Sequence, residues 1–165
     1  MKETVWEKLN FFKPKDTIDN WGEPERINPE LLLKLDDFRG ALGTFLIVTS
    51  GTGEIHSKNS QHYLGNAVDI VAPKFKGSLF DLYLTAERFN FNGIGLYNGW
   101  KYKGKVVGGL HLDMRPLAVE EDGTLYYRTN RWLGVSSTVK KRGKLVTYQK
   151  YHAFNEANLK KHGFY

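Results

Sequence analysis

The sequence predicts an α+β protein in which helices pack on a mainly antiparallel sheet. Segments with the apolar spacing of amphipathic helices occur among short segments that are β-branched or that alternate apolar and polar residues. Asn98-Gly99 and Asp122-Gly123 are typical of the tight turns that join antiparallel strands. A regular alternation of strand and helix, which would predict a parallel sheet, does not occur in the sequence.

Three segments are predicted to be helices. The first begins after Asn28, a favourable N-cap, has Pro29 in its first turn and ends at Gly43. The second begins after Ser78, and the third covers roughly residues 151–161. Apolar residues recur at helical spacing in the first two, so each is expected to bury one face in the core.

Four segments are predicted to be strands. Residues 44–50 and 67–71 are apolar and β-branched, which is typical of buried strands, and a polar loop, residues 51–65, separates them. Residues 93–97 form a short strand. Residues 109–115, with the sequence "GLHLDMR", alternate strictly between apolar and polar side chains, so this strand is expected to bury one face and present the other.

The composition is that of a globular protein, with 41% hydrophobic and 25% charged residues in a chain of 165. No stretch approaches the roughly 18 apolar residues that cross a membrane, and the charged N-terminal segment is unlike an export signal. We therefore expect no signal peptide and synthesis in the cytoplasm. Because the chain contains no cysteine, a metal site must use His, Asp or Glu.

Positive charge is concentrated at the C-terminal end. Residues 133–165 contain seven basic residues and one acidic residue, whereas residues 1–132 are neutral, with 17 of each. This division predicts a domain of residues 1–132 and a basic extension, residues 133–165, packed on the domain or trailing it. A basic end attracts polyanions such as nucleic acid, an acidic membrane face or an anionic cell-wall polymer. A solvated surface is an equally good interpretation of the charge alone.

Two segments contain the residues that carry chemistry. Asp69 lies in the apolar run "AVDIV", where a carboxylate is costly unless a cation or hydrogen bonds compensate it. His111 and Asp113 are two apart on a predicted strand and therefore share one face. Together with His62, they offer two imidazoles and a carboxylate, a three-ligand set for zinc that leaves a fourth position for water. Hydrogen-bonded structural His–Asp pairs are the alternative interpretation.

The chain resembles the zinc peptidases of the M15 family, which include D-alanyl-D-alanine carboxypeptidases and phage L-alanyl-D-glutamate endolysins. The resemblance spans about residues 27–132 and rests, in order, on "LDDFRGALGTFLIVTSG", "SQHYLGNAVDI", "GIGLY", "GLHLDMR" and "NRW". It implies a hedgehog/DD-peptidase-like fold for residues 1–132 and zinc (Zn2+) bound by His62, Asp69 and His111. It also implies that the substrate is the peptide stem of bacterial peptidoglycan.

Two departures from the family pattern concern the catalytic groups. The family has Ser-Gly-Tyr-Arg after its first strand, and its arginine helps to hold the substrate and the developing oxyanion. Here the matching segment runs from Ser50 to Gly53, so this arginine is missing. Many members also have Glu or Asp as general base three residues before the last zinc ligand, where this chain has Gly108.

Other residues are candidates for the missing roles. Asp113, which shares a strand face with His111, and Glu54, in the loop before the first ligand, are candidates for the general base. Asp113 can instead orient the His111 imidazole through its second nitrogen, and both alternatives stay open. Arg115, on the same strand face, is the first candidate for binding a peptide carboxylate, and Arg131 is the second.

Further side chains are expected near the site. His56, six positions before His62, is a possible ligand but is more typical of a substrate contact or a solvated loop residue. Tyr97, Trp100 and Tyr102 are candidates for lining a cleft, and core packing explains these aromatic residues equally well.

The sequence therefore predicts a zinc metallopeptidase that acts on the cell wall after lysis or delivery by a phage. Its basic C-terminal end is expected to bind an anionic cell-wall polymer. The alternative is a non-catalytic metal-binding or structural module, such as a virion component, which Gly53 and Gly108 favour. Nucleic-acid binding has only charge in its support.

Overall fold

The computed structural model describes residues 4–116 and 130–165, together with the backbone of residues 118–119 and 125–126. Within these ranges the helices are α1 (Val5–Lys8), α2 (Pro29–Leu42), α3 (Leu79–Glu87) and α4 (Glu156–Lys161), with 3-10 helices at Pro24–Arg26 and Gln61–Leu64. The strands are β1 (Ile47–Ser50), β2 (Ala67–Val71), β3 (Gly93–Tyr97), β4 (Lys101–Tyr102), β5 (Lys105–Val106), β6 (Gly109–Asp113), β7 (Ala118–Val119), β8 (Leu125–Tyr126), β9 (Asn130–Lys141) and β10 (Lys144–Ala153). None of the described helices is long and apolar enough to cross a membrane.

Six strands form one sheet in the order β1-β2-β6-β3-β9-β10. Every neighbouring pair is antiparallel except β3 and β9, which are parallel. The pairs β4–β5 and β7–β8 form separate two-stranded ribbons. The prediction of an α+β fold with a mainly antiparallel sheet is confirmed, and the hedgehog/DD-peptidase fold stays a prediction.

The local signals at the helix ends explain where α2 and α3 begin and end. The side chain of Asn28 accepts a hydrogen bond from the backbone N–H of Glu30 at 2.9 Å, and Gly43 ends α2 in the left-handed conformation with a φ of 60°. Ser78 and Asp81 form a capping box at the start of α3. These caps satisfy backbone groups that the helices leave free at their ends.

The hydrophobic core packs α2 and α3 against one face of the sheet. From α2 it takes buried leucines and Phe38, and from the strands it takes alternate residues such as Val68 and Ile70 of β2. Because side chains alternate across a strand, the residues between them point to the opposite face. Asp69, between Val68 and Ile70, is therefore placed on the face away from the core.

The C-terminal end differs from its prediction. Residues 144–153 form strand β10, and only Glu156–Lys161 is helical. Strand β10 pairs with β9 along its whole length, so the backbone groups on the side that faces β9 are hydrogen-bonded within the sheet. Position 132, the predicted end of the first domain, lies inside β9.

The remaining differences are shifts of a few residues. β1 covers Ile47–Ser50 where the sequence predicted residues 44–50, and β6 ends at Asp113 rather than at residue 115. The loop at 51–65 contains the 3-10 helix Gln61–Leu64. The predicted turn at Asp122-Gly123 lies outside the described residues.

Gly65 fixes the chain between this 3-10 helix and β2. Its φ of 71° is left-handed, and a Cβ there would lie 1.9 Å from the carbonyl oxygen of Arg26. Gly104 has a φ of 80° but open space around the Cβ position.

We expect Gly65→Ala to lower the free energy of unfolding by about 2 kcal/mol more than Gly104→Ala, because both substitutions strain the backbone and only the first adds steric overlap. Urea unfolding of the two variants measures the difference, and equal losses would contradict the assignment.

Candidate metal centre

The candidate centre lies on a row of residues that crosses the sheet on the face away from the core. Pairing register places one residue from each of five neighbouring strands side by side: Ser50, Asp69, His111, Gly95 and Trp132. His62 reaches the row from the 3-10 helix that precedes β2. The sheet thus fixes two of the predicted zinc ligands, and the loop before β2 supplies the third.

Three side-chain atoms converge in the middle of this row. His62 Nε2 lies 3.2 Å from Asp69 Oδ1 and 3.2 Å from His111 Nδ1, and Asp69 Oδ1 lies 2.9 Å from His111 Nδ1. The structure therefore brings together the three residues that the sequence predicted as zinc ligands.

Hydrogen bonds on the outer side of both rings fix which nitrogens face inward. His62 Nδ1 lies 2.7 Å from the carbonyl oxygen of Gly51, which can only accept, so this nitrogen carries the proton. His111 Nε2 lies 2.9 Å from the Asp113 carboxylate and donates to it in the same way. In the neutral rings, the lone pairs of His62 Nε2 and His111 Nδ1 are left facing Asp69.

Three electron-pair donors at this spacing repel one another unless a proton or a cation lies between them. Around a tetrahedral zinc ion with bonds of about 2.0–2.2 Å, ligand atoms are separated by about 3.3 Å. The separations of 2.9–3.2 Å between the three atoms are close to that value. The residues present fit such an ion, and the described part of the chain therefore contains a His-His-Asp group that can hold a metal.

His56 extends this group. Its ring stacks on His62 with the centroids 3.8 Å apart and the planes at 1°, and its Nε2 lies 3.2 Å from Ser50 Oγ. His56, His62 and Asp69 each offer one ligand atom, and these three atoms lie within 4.8 Å of one another. A second three-residue group therefore shares two members with the first. From the sequence, only the spacing to His62 pointed to His56, and a loop histidine at that spacing is equally typical of solvent.

Hydrogen bonds dominate the electrostatics of the buried centre. Burial raises the pKa of Asp69, but its contacts with the His111 and His62 imidazoles outweigh this and lower that pKa to about 2. Burial lowers the pKa of His111, but hydrogen bonds to Asp113 and Asp69 outweigh it and raise that pKa to about 9. Without a metal, His111 therefore holds a proton at neutral pH, and a metal ion must displace it.

Asp113 lies behind His111 and is fully buried. Its carboxylate accepts hydrogen bonds from His111 Nε2 and from the backbone N–H and Nε of Arg115, at 2.9–3.0 Å. Gly93 on the neighbouring strand makes room, since a Cβ there would lie 2.4 Å from each carboxylate oxygen. Burial raises the pKa of Asp113, but these hydrogen bonds hold it well below its usual range. The placement favours the orienting role for Asp113 over the role of general base.

Arg115 lines the cleft above the centre while it holds Asp113. Its Nε and Nη2 donate to the Asp113 carboxylate, and its guanidinium lies 4.9 Å from the centroid of the Trp132 ring. Nη1 makes no hydrogen bond to any residue that the structure describes. Arg115 is therefore both a support for Asp113 and a cation at the cleft.

Two other residues singled out in the sequence lie elsewhere. Glu54 accepts a hydrogen bond from Asn20 Nδ2 at 2.8 Å and is not among the residues that line the cleft. Arg131 forms a bidentate ion pair with Glu87 of α3 and likewise does not line the cleft. Sequence spacing could not reveal these partners, because each lies more than 30 positions away.

The local backbone and packing favour glycine at the two positions that depart from the M15 pattern, Gly53 and Gly108. A Cβ on Gly53 would lie 2.8 Å from the Cα of Gly22, so an arginine there would require the backbone to move. Gly108 has a left-handed φ of 67° and packs beside Leu79 and the carbonyl oxygen of Tyr97. A side chain at Gly108 would therefore be strained whatever its chemistry.

A cleft of about 520 Å3 opens over the centre. One side consists of the loop before β2, including His56 and Gln61, and the other is largely aromatic: Tyr97, Trp100, Trp132 and Tyr151. Tyr97 stacks on Trp100 with the centroids 4.3 Å apart, and Trp132 Nε1 donates to Tyr97 Oη at 2.9 Å. The aromatic side is therefore braced by its own contacts.

The sequence indicated only part of this lining. Tyr97 and Trp100 line the cleft, whereas Tyr102 does not. Gln149 and Tyr151 also line it and were missed, because no strand was predicted over residues 144–150 and residues 151–161 were predicted to be helical. As alternate residues of β10 they share one face, but the residues of this strand do not alternate between apolar and polar, so no local signal revealed them.

No family model matches the chain, and neither a curated protein nor a solved structure is similar to it at a significant level. The likeness to M15 peptidases therefore stays a resemblance of motifs. The arrangement of side chains described above carries the functional argument.

We expect the protein to bind one zinc ion per chain and each of His62→Ala and His111→Ala to weaken binding about 100-fold or more. His56→Ala should weaken it less than about tenfold, because the three-ligand set remains. Competition with a chromophoric chelator measures the affinities, and His152→Ala, outside the cleft lining, is the control. A loss for His56→Ala as large as that for His111→Ala would contradict the three-ligand assignment.

Zinc affinity is expected to rise with pH between pH 6 and pH 8, by up to about tenfold per unit. The reason is that His111 holds a proton below its pKa of about 9, and binding must release it. Asp113→Asn removes the negative charge that stabilises the protonated His111 ring and so lowers this pKa. The zinc affinity of this variant should therefore stop rising at a lower pH than that of the unchanged protein. Chelator competition at several pH values tests this, and a pH-independent affinity would contradict it.

Proposed function

We propose that the protein is a zinc-dependent peptidase that cleaves the peptide stems of bacterial peptidoglycan. The observation that carries the proposal is the convergence of His62 Nε2, Asp69 Oδ1 and His111 Nδ1, no more than 3.2 Å apart, at an open cleft. The motif resemblance to M15 peptidases supplies the substrate class. The proposal includes action on the cell wall after lysis or delivery by a phage.

Metal binding and its support are divided among named residues. His62, Asp69 and His111 would hold the ion, and Asp113 positions His111 through the bond of 2.9 Å to its Nε2. Zinc supplies a water whose pKa is lowered to about 7 and a Lewis acid that polarises the scissile carbonyl. The protein must then provide a proton acceptor, a grip on the substrate and shelter from bulk water.

His56 is the proton acceptor in this proposal. It lines the cleft, and its ring lies parallel to that of His62. Burial and the neighbouring His62 lower its pKa, so the ring is neutral at pH 7 and able to accept a proton. A neutral imidazole here can take a proton from the attacking water and return it to the leaving amine. His56 would thus take the role that a carboxylate at position 108 has in the resembling family.

The cleft walls bind and orient the substrate. Arg115 can donate from Nη1 to a carboxylate of the stem peptide while Nε and Nη2 remain on Asp113. The aromatic side, with Trp100 and Tyr151, offers apolar surface that excludes water from the reacting atoms. This positioning would replace part of what the missing arginine contributes in the family.

The second candidate is a metal-binding module without catalysis. Its support is His56, because a site with His56, His62, Asp69 and His111 as ligands would have four protein ligands and no open position. The glycines at positions 53 and 108 also favour it, since neither supplies a catalytic side chain. In this case the ion would stabilise the fold.

Digestion of purified peptidoglycan distinguishes the two candidates. We expect the zinc-loaded protein to release fragments with new amino termini, read by mass spectrometry, and a chelator to stop the release until zinc is restored. His56→Ala should lower kcat about 100-fold with unchanged zinc content, because general bases contribute at least this much. Glu54→Gln should keep its turnover.

The opposite results have a clear meaning. Zinc bound in unit stoichiometry without any new amino terminus would contradict the peptidase and favour the module. Full turnover in His56→Ala would leave a peptidase but remove His56 as its base.

A further inference from the structure

Strands β9 and β10 continue beyond the rest of the sheet. The parallel pairing of β3 with β9 ends at Tyr97 and Gly134, whereas β9 and β10 remain paired up to Lys141 and Lys144. Residues 135–150 therefore form a two-stranded arm, about 23 Å long at roughly 3.3 Å per residue. Among the described residues, no third strand pairs with it. Its base touches the body at Ser136, beside Gly99.

The tip of the arm is a tight hairpin turn. Arg142 and Gly143 both have left-handed φ values, 47° and 80°, as the central residues of a type I′ turn do. An isolated two-stranded hairpin is only marginally stable in water. A surface that covers the arm would therefore stabilise it.

The arm carries unneutralised positive charge. Its five basic residues are exposed: Lys140, Lys141, Arg142, Lys144 and Lys150. No acidic residue occurs between positions 130 and 155, and none of the five forms an ion pair with a residue that the structure describes. Lys160 of α4, by contrast, is paired with Glu156 at 2.7 Å. The arm thus concentrates most of the net charge of the chain on one projecting element.

Apolar side chains are exposed among these cations. Leu145 is 76% exposed, Val146 41% and Tyr148 39%. Val146 is paired with Val139 and shares its face with Tyr148, while Leu145 lies on the other face. Lys141 and Lys144 flank them at the turn. The end of the arm is therefore both cationic and hydrophobic.

We propose that this arm binds the surface of an anionic lipid bilayer. The arm would meet the bilayer with its tip, so that Leu145 and Val146, on its two faces, both reach the boundary of the acyl chains and the basic side chains lie at the headgroup phosphates. The anionic cell-wall polymer expected for this end offers phosphates but no hydrocarbon to cover the exposed leucine and valine. Nucleic acid offers stacking for Tyr148 only. The proposal is independent of the peptidase activity.

Vesicle flotation with the full chain tests the proposal. The protein should bind vesicles of equal parts phosphatidylglycerol and phosphatidylcholine, and not phosphatidylcholine alone, with binding that falls as salt rises. Lys140→Gln, Lys141→Gln and Lys144→Gln together should lower the partition coefficient about 100-fold, at roughly fivefold per charge. Leu145→Thr with Val146→Thr should lower it about tenfold without changing the salt dependence.

Matched controls come from the β4–β5 ribbon. Lys101→Gln, Lys103→Gln and Lys105→Gln remove the same charge from another exposed hairpin, and Val106→Thr removes another exposed valine. These variants should lose less than about fivefold, and zinc binding should be unchanged in all of them. Equal losses in the controls, or no binding to anionic vesicles, would overturn the proposal. Equal affinity for soluble glycerol-phosphate polymer or DNA, unaffected by Leu145→Thr with Val146→Thr, would also overturn it.

Discussion

The structure depends on holding three electron-pair donors close together on one face of a sheet. His62 Nε2, Asp69 Oδ1 and His111 Nδ1 are mutually within 3.2 Å, an arrangement that needs a proton or a cation at its centre. The register of β2 with β6 sets two of them side by side, and the left-handed turn at Gly65 aims the third. The carbonyl of Gly51 and the buried carboxylate behind His111 keep the ring protons on the outer side. The pairing of the strands therefore determines the geometry of the candidate metal centre as much as the side chains do.

Much of the fold and the inner site follow from local signals. The N-cap Asn28 and the alternation of apolar and polar residues along β6 can be recognised from neighbouring residues alone. The position of a carboxylate in an apolar run likewise marks Asp69 as unusual. The C-terminal hairpin was harder to predict, because β10 contains polar and basic residues and becomes a strand only through pairing with β9. The cleft residues Gln149 and Tyr151 were missed for the same reason. Non-local pairing is the information that a single sequence does not display.

Strand periodicity predicts which face a residue occupies, but not what lies around it. His111 and Asp113 share a face as expected, yet Asp113 is covered because Gly93 leaves space for its carboxylate and Arg115 closes over it. The same limit applies to His56, whose position against His62 comes from the path of a loop. The sequence therefore identified candidate catalytic residues by their type. Their different roles became visible only from how deeply each side chain is buried and which groups it hydrogen-bonds.

Strand β9 begins at the metal row and ends in the projecting arm. Trp132 in the row and Lys141 near the tip belong to the same continuous strand, and Tyr151 of the cleft wall belongs to its partner. Shortening the chain after position 132 would consequently remove an edge of the sheet and two residues of the cleft lining, Gln149 and Tyr151, not a separable appendage. The arm and the aromatic side of the cleft are therefore parts of the same two paired strands.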